Sequence, residues 1–402
     1  MKRKNGEGTW GKKTIKGTEY KYFRNTNGKY FYGKTEKEIK EKIKKYEKEN
    51  KTYIDSGKSY FCDFVKDWLF NVKRNQIKQR TFDTYERYYE TLILEYNDYV
   101  ISDVQLANLN SKILTMYFNS LAKKYSMSTI KKAQTLITQC LDYAVEEELI
   151  EINPMLKVKM PSKDIVAVAK KDIPFLSPDD MEKLYIESNR VQEEGFRING
   201  NVGDLVYGNN AKIIVLIMYT GLRIAEMQGL KWKDVDFENK CIYINRNLSR
   251  VKDRESKDEN KYMYIETSLK KDSSKRTIPL SDRAYEILDY LYKNNVKNTD
   301  EDYVCISKNG ELAHQRNISR TLNSMLVRGK CSVKKCGLHS LRHSFGSYLV
   351  SEGVDIATVS RLMGHKDITT TYNVYIHVLQ QKQIDAINVF NKEEKDNKKE
   401  GD

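Results

Sequence analysis

The segment HSLRHSFGSYLVSEGVDIATVSRLMGHKDITTTYNVYIHV, residues 339–378, concentrates groups that perform acid–base and nucleophilic chemistry. The chain has only five histidines, and this segment holds four of them: His339, His343, His365 and His377. Histidine exchanges protons near neutral pH. Arg342 adds a permanent cation that matches phosphate oxygens, and Tyr372 and Tyr375 each carry a phenol that can act as a nucleophile. Together these groups indicate chemistry on a phosphate.

The same segment predicts three helices. Apolar residues recur at helical spacing over residues 338–351, so His339 and Arg342, three residues apart, share one helix face. Gly353 marks the end of this helix. A second short helix follows and ends at Gly364, and the threonine run 369–371 is expected to cap a third helix that carries both tyrosines.

Three separated motifs resemble the tyrosine recombinase (phage-type integrase) family. HSLRHSF, residues 339–345, is similar to the family's H-x-x-R helix, and residues 362–378 are similar to its L-G-H-x-x-x-x-T-T-x-x-x-Y-x-H-V segment. Upstream, YTGLRIAEMQGLKWKDVDF, residues 219–237, resembles the segment that carries the family's first arginine, here Arg223. The resemblance extends over roughly residues 175–390.

The resemblance implies a catalytic set for cutting and rejoining a phosphodiester: Arg223, Lys270, His339, Arg342, His365 and Tyr375. The two arginines would bind the non-bridging oxygens, and the lysine would protonate the leaving 5′ oxygen. The two histidines would hydrogen-bond the phosphate and assist proton transfer. Tyr375 would attack to give a 3′-phosphotyrosine, which a 5′ hydroxyl of another strand then resolves. This chemistry needs no metal and no cofactor.

Two of these assignments have open alternatives. The family's K-T-x-x-S-x-R-x-I-P-L hairpin is similar to LKKDSSKRTIPL, residues 269–280, which aligns its lysine with Lys270 but leaves Lys271 one position away. Arg223 could instead form a core salt bridge with Glu226, three residues along the same helix. His343 lies four residues after His339, but HSLRH lacks the glutamate of a zinc-binding H-E-x-x-H motif.

The choice of Tyr375 over Tyr372 depends on spacing. In the family the nucleophile follows the histidine of the Gly-His pair by nine or ten residues. Tyr375 lies ten residues after His365, whereas Tyr372 lies seven residues after it. Tyr375 also precedes Ile376-His377-Val378, as in the family's Y-x-H-V ending, and His377 is expected to support the nucleophile's helix.

Composition points to the same class of partner. The chain has 402 residues, a formal net charge of +14 and a pI of about 9.1, which favours nucleic acid over other anionic partners. Residues 1–58 alone hold 18 Lys and Arg against 8 Asp and Glu. No signal peptide or apolar run of about 18 residues is present, so we expect no membrane association and a bacterial cytoplasmic, nucleoid-associated protein. The six cysteines suit free thiols.

We expect a multidomain protein that begins with a small α+β domain, residues 1–55. Aromatic and basic residues alternate over residues 1–34 with a turn at Asn27-Gly28, which predicts three strands. A helix follows, with Thr35 and Glu38 as a capping box. The resemblance implies an arm-site DNA-binding domain. The alternative is a structural appendage with a solvated basic face.

Residues 59–157 predict an all-α, four-helix domain that resembles the family's core-binding domain. Its basic side chains could meet DNA phosphates, although any one of them could equally be a solvated surface residue: Lys73, Arg74, Lys78, Arg80, Lys131 and Lys132. Prolines mark a linker over residues 158–174. The catalytic domain, mainly α within an α+β fold, is expected over residues 175–391, with strands around 241–248, 262–267 and 275–280 and a charged insertion or long hairpin over Arg250–Lys261. A disordered tail completes the chain at 392–402.

These features predict a site-specific recombinase that excises and integrates a mobile element, of the conjugative-transposon integrase type. Its partners would be double-stranded DNA with core and arm sites, and an accessory DNA-bending or excision factor. An apolar stripe within residues 378–391 predicts a carboxy-terminal helix exchanged between protomers of a homo-tetramer. The alternatives are a type IB-like topoisomerase, with the same chemistry, and a non-catalytic architectural DNA-binding protein.

Overall fold

The computed structural model describes residues 9–15, 18–24, 30–49, 59–168, 174–193, 204–256, 258, 261–268 and 275–375. The chain divides into two compact units, Met1–Lys170 and Lys171–Asp402. Within the described ranges, no helix is long and apolar enough to cross a membrane.

The first unit begins with a three-stranded antiparallel sheet and one helix. Their bounds are β1 Thr9–Ile15, β2 Thr18–Arg24, β3 Tyr30–Gly33 and α1 Glu36–Glu49, with strand order β1-β2-β3. Phe31 of β3 and Ile39 of α1 are buried, so the helix covers one face of the sheet. The Thr35 hydroxyl accepts the Glu38 N–H at 3.2 Å, which confirms the predicted helix start. The predicted turn at residues 27–28 lies outside the described residues.

The opposite face of this sheet, here named the tyrosine face, is aromatic and basic. Tyr22 pairs with Tyr32 across β2 and β3, and Arg24 pairs with Tyr30. The three tyrosine rings lie 5.4–6.0 Å apart, and the Arg24 guanidinium lies 5.4 Å from the Tyr30 centroid. Gly11, which pairs with Tyr22, leaves room for the ring, because a Cβ there would fall 2.5 Å from it.

The rest of the first unit is helical, as predicted for an all-α domain. Its helices are α2 Phe61–Asp67, α3 Gln79–Tyr88, α4 Ser111–Ala122 and α5 Met127–Glu146. Two of them continue as π-helix, over Trp68–Val72 and Tyr89–Leu94. The core is rich in aromatic side chains, and the buried Tyr117 hydroxyl donates to the Leu92 carbonyl at 2.8 Å. Val158, Met160 and Val166, within the predicted linker, also pack on this core.

The second unit is mainly helical. Its helices are α6 Pro178–Ser188, α7 Asn209–Thr220, α8 Ile224–Gly229, α9 Asp282–Asn294, α10 Gln315–Arg328, α11 Leu338–Ser351 and α12 Ile356–Met363. Residues 368–375 form a further helical segment. α7 is the centre of the core, since it is apolar on every side from Ile213 onward and almost all of it is buried. α9, α10 and α11 pack around it.

Among the described residues of this unit, five short strands form the sheet part. They are β4 Val235–Asp236, β5 Cys241–Ile244, β6 Arg246–Lys252, β7 Tyr262–Ser268 and β8 Arg276–Pro279. β5 lies between β4 and β8, and all pairs are antiparallel. β6 and β7 pair separately from Arg246↔Ser268 to Lys252↔Tyr262, so the predicted long hairpin is confirmed. The sheet places β8 against α12.

Candidate active site

The carboxyl end of α12 collects three arginines from three distant parts of the chain. Consecutive carbonyl oxygens accept their guanidinium N–H groups: Leu362 from Arg276 Nε at 2.7 Å, Met363 from Arg342 Nη2, and Gly364 from Arg223 Nη2 at 3.1 Å. The last carbonyls of a helix have no partner within it and carry partial negative charge, so cations are favoured there. Gly364 itself has φ +61° and ends the helix in the left-handed conformation.

A buried carboxylate joins the same arginines. Glu226 accepts from Arg276 Nη1 and Nη2 at 3.1 and 2.9 Å, and from the Arg223 backbone N–H and Nη1 at 2.9 and 2.7 Å. Arg342 Nη1 lies 3.9 Å away. Burial acts to raise the pKa of Glu226, but Arg276 and Arg223 outweigh it and lower the pKa to about 2. We name these four residues, Glu226 and the three arginines, the arginine cluster.

Arg342 is the most buried member of the arginine cluster, with only 1% of its surface exposed. Besides Met363 it donates to the Gly221 carbonyl at 2.7 Å, at the end of α7. Burial and the neighbouring Arg223 lower its pKa to about 9, so Arg342 remains a cation at neutral pH. By contrast, the Arg223 side chain is 38% exposed and reaches solvent.

His365 directly follows the arginine cluster in the chain and is held by a threonine. Its Nδ1 lies 2.7 Å from the hydroxyl of Thr371, which is fully buried. Burial and the charges of Arg342 and Arg223 lower the pKa of His365 to about 4, so the ring is neutral at pH 7. Beside it lies a cavity of about 470 Å³, also lined by Lys275 and Arg361.

His339 and His343 lie one turn apart on α11 with ring centroids 4.5 Å apart. Desolvation and the positive charges of Arg342 and Arg223 lower the pKa of His339. Desolvation, His339 and Arg342 lower the pKa of His343 to about 4. The His343 Nε2 is buried, has no hydrogen-bond partner among the described residues, and its ring lies 6.3 Å from that of Tyr375.

Tyr375 is fully buried, whereas Tyr372 is 46% exposed. The Tyr375 hydroxyl donates to the Met363 sulfur at 3.2 Å. It fits against α11 only because Gly346 has no side chain, since a Cβ there would lie 2.1 Å from the hydroxyl oxygen. Desolvation raises the pKa of Tyr375 well above its ordinary value. Tyr375, Met363 and Gly346 form the tyrosine pocket.

The start of the helical segment 368–375 differs from the expectation. The Asp367 carboxylate, not a threonine of the 369–371 run, accepts the Thr369 N–H at 2.8 Å. An aspartate at this position is a stronger cap than the threonine. Thr371 lies one turn inside the helix, which leaves its hydroxyl free to hold His365.

Comparison with known proteins identifies the family of this chain. The model of the phage integrase family matches residues 175–382, just over half of the chain, and the phage integrase SAM-like domain matches residues 60–160. The chain belongs to the phage integrase family, the tyrosine recombinases. It is a site-specific recombinase, an enzyme that exchanges DNA strands, as the sequence motifs predict.

Relatives match over most of the recombinase. A XerC-like tyrosine recombinase of Caldanaerobacter subterraneus is 28% identical over 390 residues, which are 92% of this chain and 93% of the relative. The integrase of Staphylococcus phage L54a is 25% identical and covers 86% of this chain and 95% of its own length.

Solved structures share the fold. The Tn1549 transposon integrase in complex with transposon right end DNA is 21% identical, covers 79% of this chain and 95% of its own, and has a TM-score of 0.62. A lambda integrase tetramer bound to a Holliday junction is 16% identical, with 88% and 92% coverage and a TM-score of 0.53. These likenesses confirm the predicted fold class, with its small α+β first part and mainly α catalytic part.

Five of the six site residues predicted for the recombinase lie within the described residues: Arg223, His339, Arg342, His365 and Tyr375. Two arginines and the tyrosine contact residues 363–364 directly, and His365 follows them. The salt bridge between Arg223 and Glu226, weighed as an alternative, also forms, as part of this cluster. Lys270 and Lys271 fall in 269–274, and His377 and the apolar stripe fall in 376–402, all outside the described residues.

The sequence motifs did not assign roles to Arg276 and Thr371, although both lie within them. Arg276 is the arginine of R-x-I-P-L, and Thr371 follows two other threonines. Each contacts a site residue or the backbone beside one. A polar side chain at a fixed place in a motif, with no evident partner nearby in sequence, was the signal that could have pointed to them.

Proposed function

We propose that this recombinase cuts and rejoins DNA through a 3′-phosphotyrosine at Tyr375, and so excises and integrates a mobile element. The observation that carries the proposal is the meeting of Arg223, Arg342 and Tyr375 at residues 363–364, next to His365. Separate motifs supply these groups, and together they cover the three tasks of phosphoryl transfer: binding the anion, moving protons and supplying a nucleophile.

The charge of the site suits this reaction. Arg223, Arg276 and Arg342 face one carboxylate, Glu226, so the arginine cluster has an excess of two positive charges. A phosphodiester has one negative charge, and the pentavalent arrangement formed when an oxygen attacks it has two. Cations that are already fixed in place stabilise that added charge without reorganising. Arg223, which reaches solvent, and Arg342, which is anchored beneath it, would bind the two non-bridging oxygens.

The histidines would form hydrogen bonds on either side of the phosphate. Thr371 fixes the His365 ring through Nδ1, which leaves Nε2 for the substrate. The low pKa of His365 arises from burial and nearby arginines, so a bound phosphate offsets part of that charge and raises the pKa toward neutrality. His339 lies on the same face of α11 as Arg342 and would contact the phosphate beside it.

Tyr375 has to move before it attacks. In the tyrosine pocket its hydroxyl has no exposure to solvent and is bonded to a thioether. We infer that on DNA binding the Tyr375 side chain leaves the tyrosine pocket, so that the phenol oxygen comes into line with the phosphorus, while Thr371 keeps its bond to His365. The phosphorus–oxygen bond to the 5′ oxygen then breaks as the bond between the phenol oxygen and phosphorus forms, and the neutral imidazole of His365 would accept the phenol proton. Lys270, as the resemblance implies, would give its proton to the 5′ oxygen.

The first unit offers two surfaces for DNA. The tyrosine face presents Arg24, Tyr22, Tyr30 and Tyr32 opposite α1, which suits insertion of the sheet into a groove at an arm site. On the helical part, five exposed cations would contact phosphates of a core site, and two of them, Arg74 and Lys132, lie over the α3 rings of Phe82 and Tyr88: Arg74, Lys78, Arg80, Lys131 and Lys132.

Relatives supply the rest of the proposal. The Tn1549 integrase was solved with transposon end DNA and the lambda integrase as a tetramer on a Holliday junction. By likeness to them, we propose that this recombinase assembles as a tetramer on the ends of a transposon. Residues 378–391 would exchange between protomers, and residues 1–55, 59–157 and 175–391 would act as arm-binding, core-binding and catalytic domains.

The test is a nicked suicide substrate that carries the element end and traps the covalent intermediate. Wild type, Tyr375→Phe and the matched control Tyr372→Phe are compared on a denaturing gel. We expect a protein–DNA adduct with wild type and Tyr372→Phe, and none with Tyr375→Phe. An adduct lost only in Tyr372→Phe would assign the nucleophile to the other tyrosine. No adduct from wild type on a site that it binds would reject the proposal.

A further inference from the structure

Arg276 adds positive charge to the arginine cluster, but the proposed chemistry assigns it no contact with the phosphate. Its side chain is only 8% exposed. All three of its nitrogens donate inward: Nε to the Leu362 carbonyl at 2.7 Å, and Nη1 and Nη2 to the two Glu226 oxygens at 3.1 and 2.9 Å. A two-pronged bond of this kind fixes the orientation of both partners.

We infer that Arg276 is a positioning residue for strand cleavage, which orients Arg223 through Glu226 and His365 through the end of α12. The inference rests on the proposed roles of Arg223 and His365. Arg276 itself does not have to touch DNA. It joins the start of β8 to two elements, α8 and α12, that each present a catalytic group.

Arg276 acts on Arg223 through Glu226. The same carboxylate that Arg276 holds accepts the backbone N–H and Nη1 of Arg223. Only an ionised carboxylate can accept all four of these bonds. Burial works against ionisation, and Arg276 is the largest of the influences that restore it. Loss of Arg276 would therefore raise the pKa of Glu226 and weaken its hold on Arg223 as the pH falls.

The second route runs through the backbone. Arg276 Nε fixes the carbonyl of Leu362, three residues before His365. The guanidinium also packs closely against Gly364, since a Cβ on that residue would lie 2.8 Å from Arg276 Nη1. Because His365 follows Gly364 directly, the Arg276 guanidinium fixes the position of the end of α12 and, through it, the position of the His365 backbone. Thr371 then fixes the ring.

The experiment measures single-turnover cleavage of the suicide substrate, with DNA saturated by enzyme, from pH 6 to pH 8.5. Arg276→Gln removes the charge, and Arg276→Lys keeps the charge without the fork. Arg283→Gln is the matched control, because Arg283 also pairs with a carboxylate, Glu182, but lies outside the site on α9. DNA affinity and melting temperature are measured for each variant.

We expect Arg276→Gln to cleave roughly 10- to 100-fold more slowly at pH 8 with unchanged DNA affinity, the size of effect seen when a supporting contact of a reacting group is lost. Its deficit should grow toward pH 6 as Glu226 begins to protonate. Arg276→Lys should keep the pH profile of wild type with a lower maximum, and Arg283→Gln should match wild type.

The inference is overturned if Arg276→Gln cleaves like wild type, or if its deficit is the same at every pH and follows the melting temperature. If Arg276→Gln does not fold, Arg276→Lys decides, since a wild-type maximum in that variant also overturns it. Failure of the proposed function is distinct, because wild type itself would then form no adduct.

Discussion

The arginine cluster and the tyrosine pocket lie on two sides of the same residue, Met363, and are built in opposite ways. On one side the Met363 carbonyl accepts Arg342, within a network of guanidinium, carboxylate and carbonyl groups. On the other side the Met363 sulfur accepts the Tyr375 hydroxyl, a single weak hydrogen bond. The half of the site that we propose to bind phosphate is thus assembled in the free protein, while the proposed nucleophile, Tyr375, is held away from solvent.

The difference follows from the free energy needed to bury a cation and to bury a phenol. A buried cation is stable only when hydrogen-bond acceptors surround it, so Arg342 needs acceptors at its buried position. The end of α12 supplies carbonyls for this purpose without further residues. A phenol is neutral and mostly apolar, so it can be buried against a glycine and a thioether at little cost and released without breaking strong bonds.

Among the variants that test this difference, Arg342→Lys should have the largest effect on cleavage. An ammonium group keeps the charge but cannot bond the Gly221 and Met363 carbonyls and the phosphate with the geometry of a planar fork. We expect cleavage to fall about a hundredfold or more, with a lower melting temperature. Arg316→Lys, on the exposed surface of α10, is the control and should behave as wild type. Wild-type cleavage by Arg342→Lys would show that the buried fork is not used.

A smaller effect is expected from Thr371→Val, which keeps the shape of the side chain and removes the bond to His365 Nδ1. The imidazole is then free to rotate, and we expect cleavage to slow about tenfold, as for other groups that orient a reacting ring. Thr370→Val, at an exposed position one residue earlier, should have no effect. Single-turnover rates at saturating enzyme separate this effect from DNA binding, and equal rates for the two variants would contradict the proposed role of Thr371.

The smallest effect on cleavage is expected from Gly346→Ala, which changes the tyrosine pocket alone. The new Cβ overlaps the Tyr375 hydroxyl, so the phenol has to leave its pocket. We expect the free protein to lose about 1–3 kcal/mol of stability and Tyr375 to become reactive to tetranitromethane, as read by peptide mass spectrometry. Gly337→Ala, where a Cβ meets no atom within 4 Å, is the matched control. An unlabelled Tyr375 in Gly346→Ala would mean that the pocket does not hold the phenol in place.

Sequence reasoning identified the reacting groups better than the contacts that hold them. Motif spacing predicted Arg223, His339, Arg342, His365 and Tyr375. The structure brings Arg223, Arg342 and Tyr375 to the end of α12, which His365 follows, and it places His339 on the same helix as Arg342, although their catalytic roles stay predictions. It did not assign a role to Arg276, whose partner Leu362 lies 86 residues away. A contact of that range between a side chain and a backbone carbonyl leaves no periodic pattern in the sequence.

The same limit applies to local structure. The sequence predicted strands around 241–248, 262–267 and 275–280, but the structure divides the first of these into β5 and β6, which lie in different sheets. The π-helical stretches Trp68–Val72 and Tyr89–Leu94 were not predicted, since residue preferences do not distinguish them from α-helix. The burial of Tyr375 was equally hidden, because it depends on the missing side chain of Gly346, 29 residues earlier.

The central claim is that the arginine cluster is ready before DNA binds and that the tyrosine moves. The most direct measurement is a structure of the protein on uncleaved element-end DNA. We predict that the bonds of Arg223, Arg276 and Arg342 to residues 362–364 persist, and that the Tyr375 hydroxyl leaves the Met363 sulfur for the phosphate. Arginines that exchange these carbonyls for others, or a Tyr375 that stays on Met363 in a complex competent to cleave, would contradict the claim.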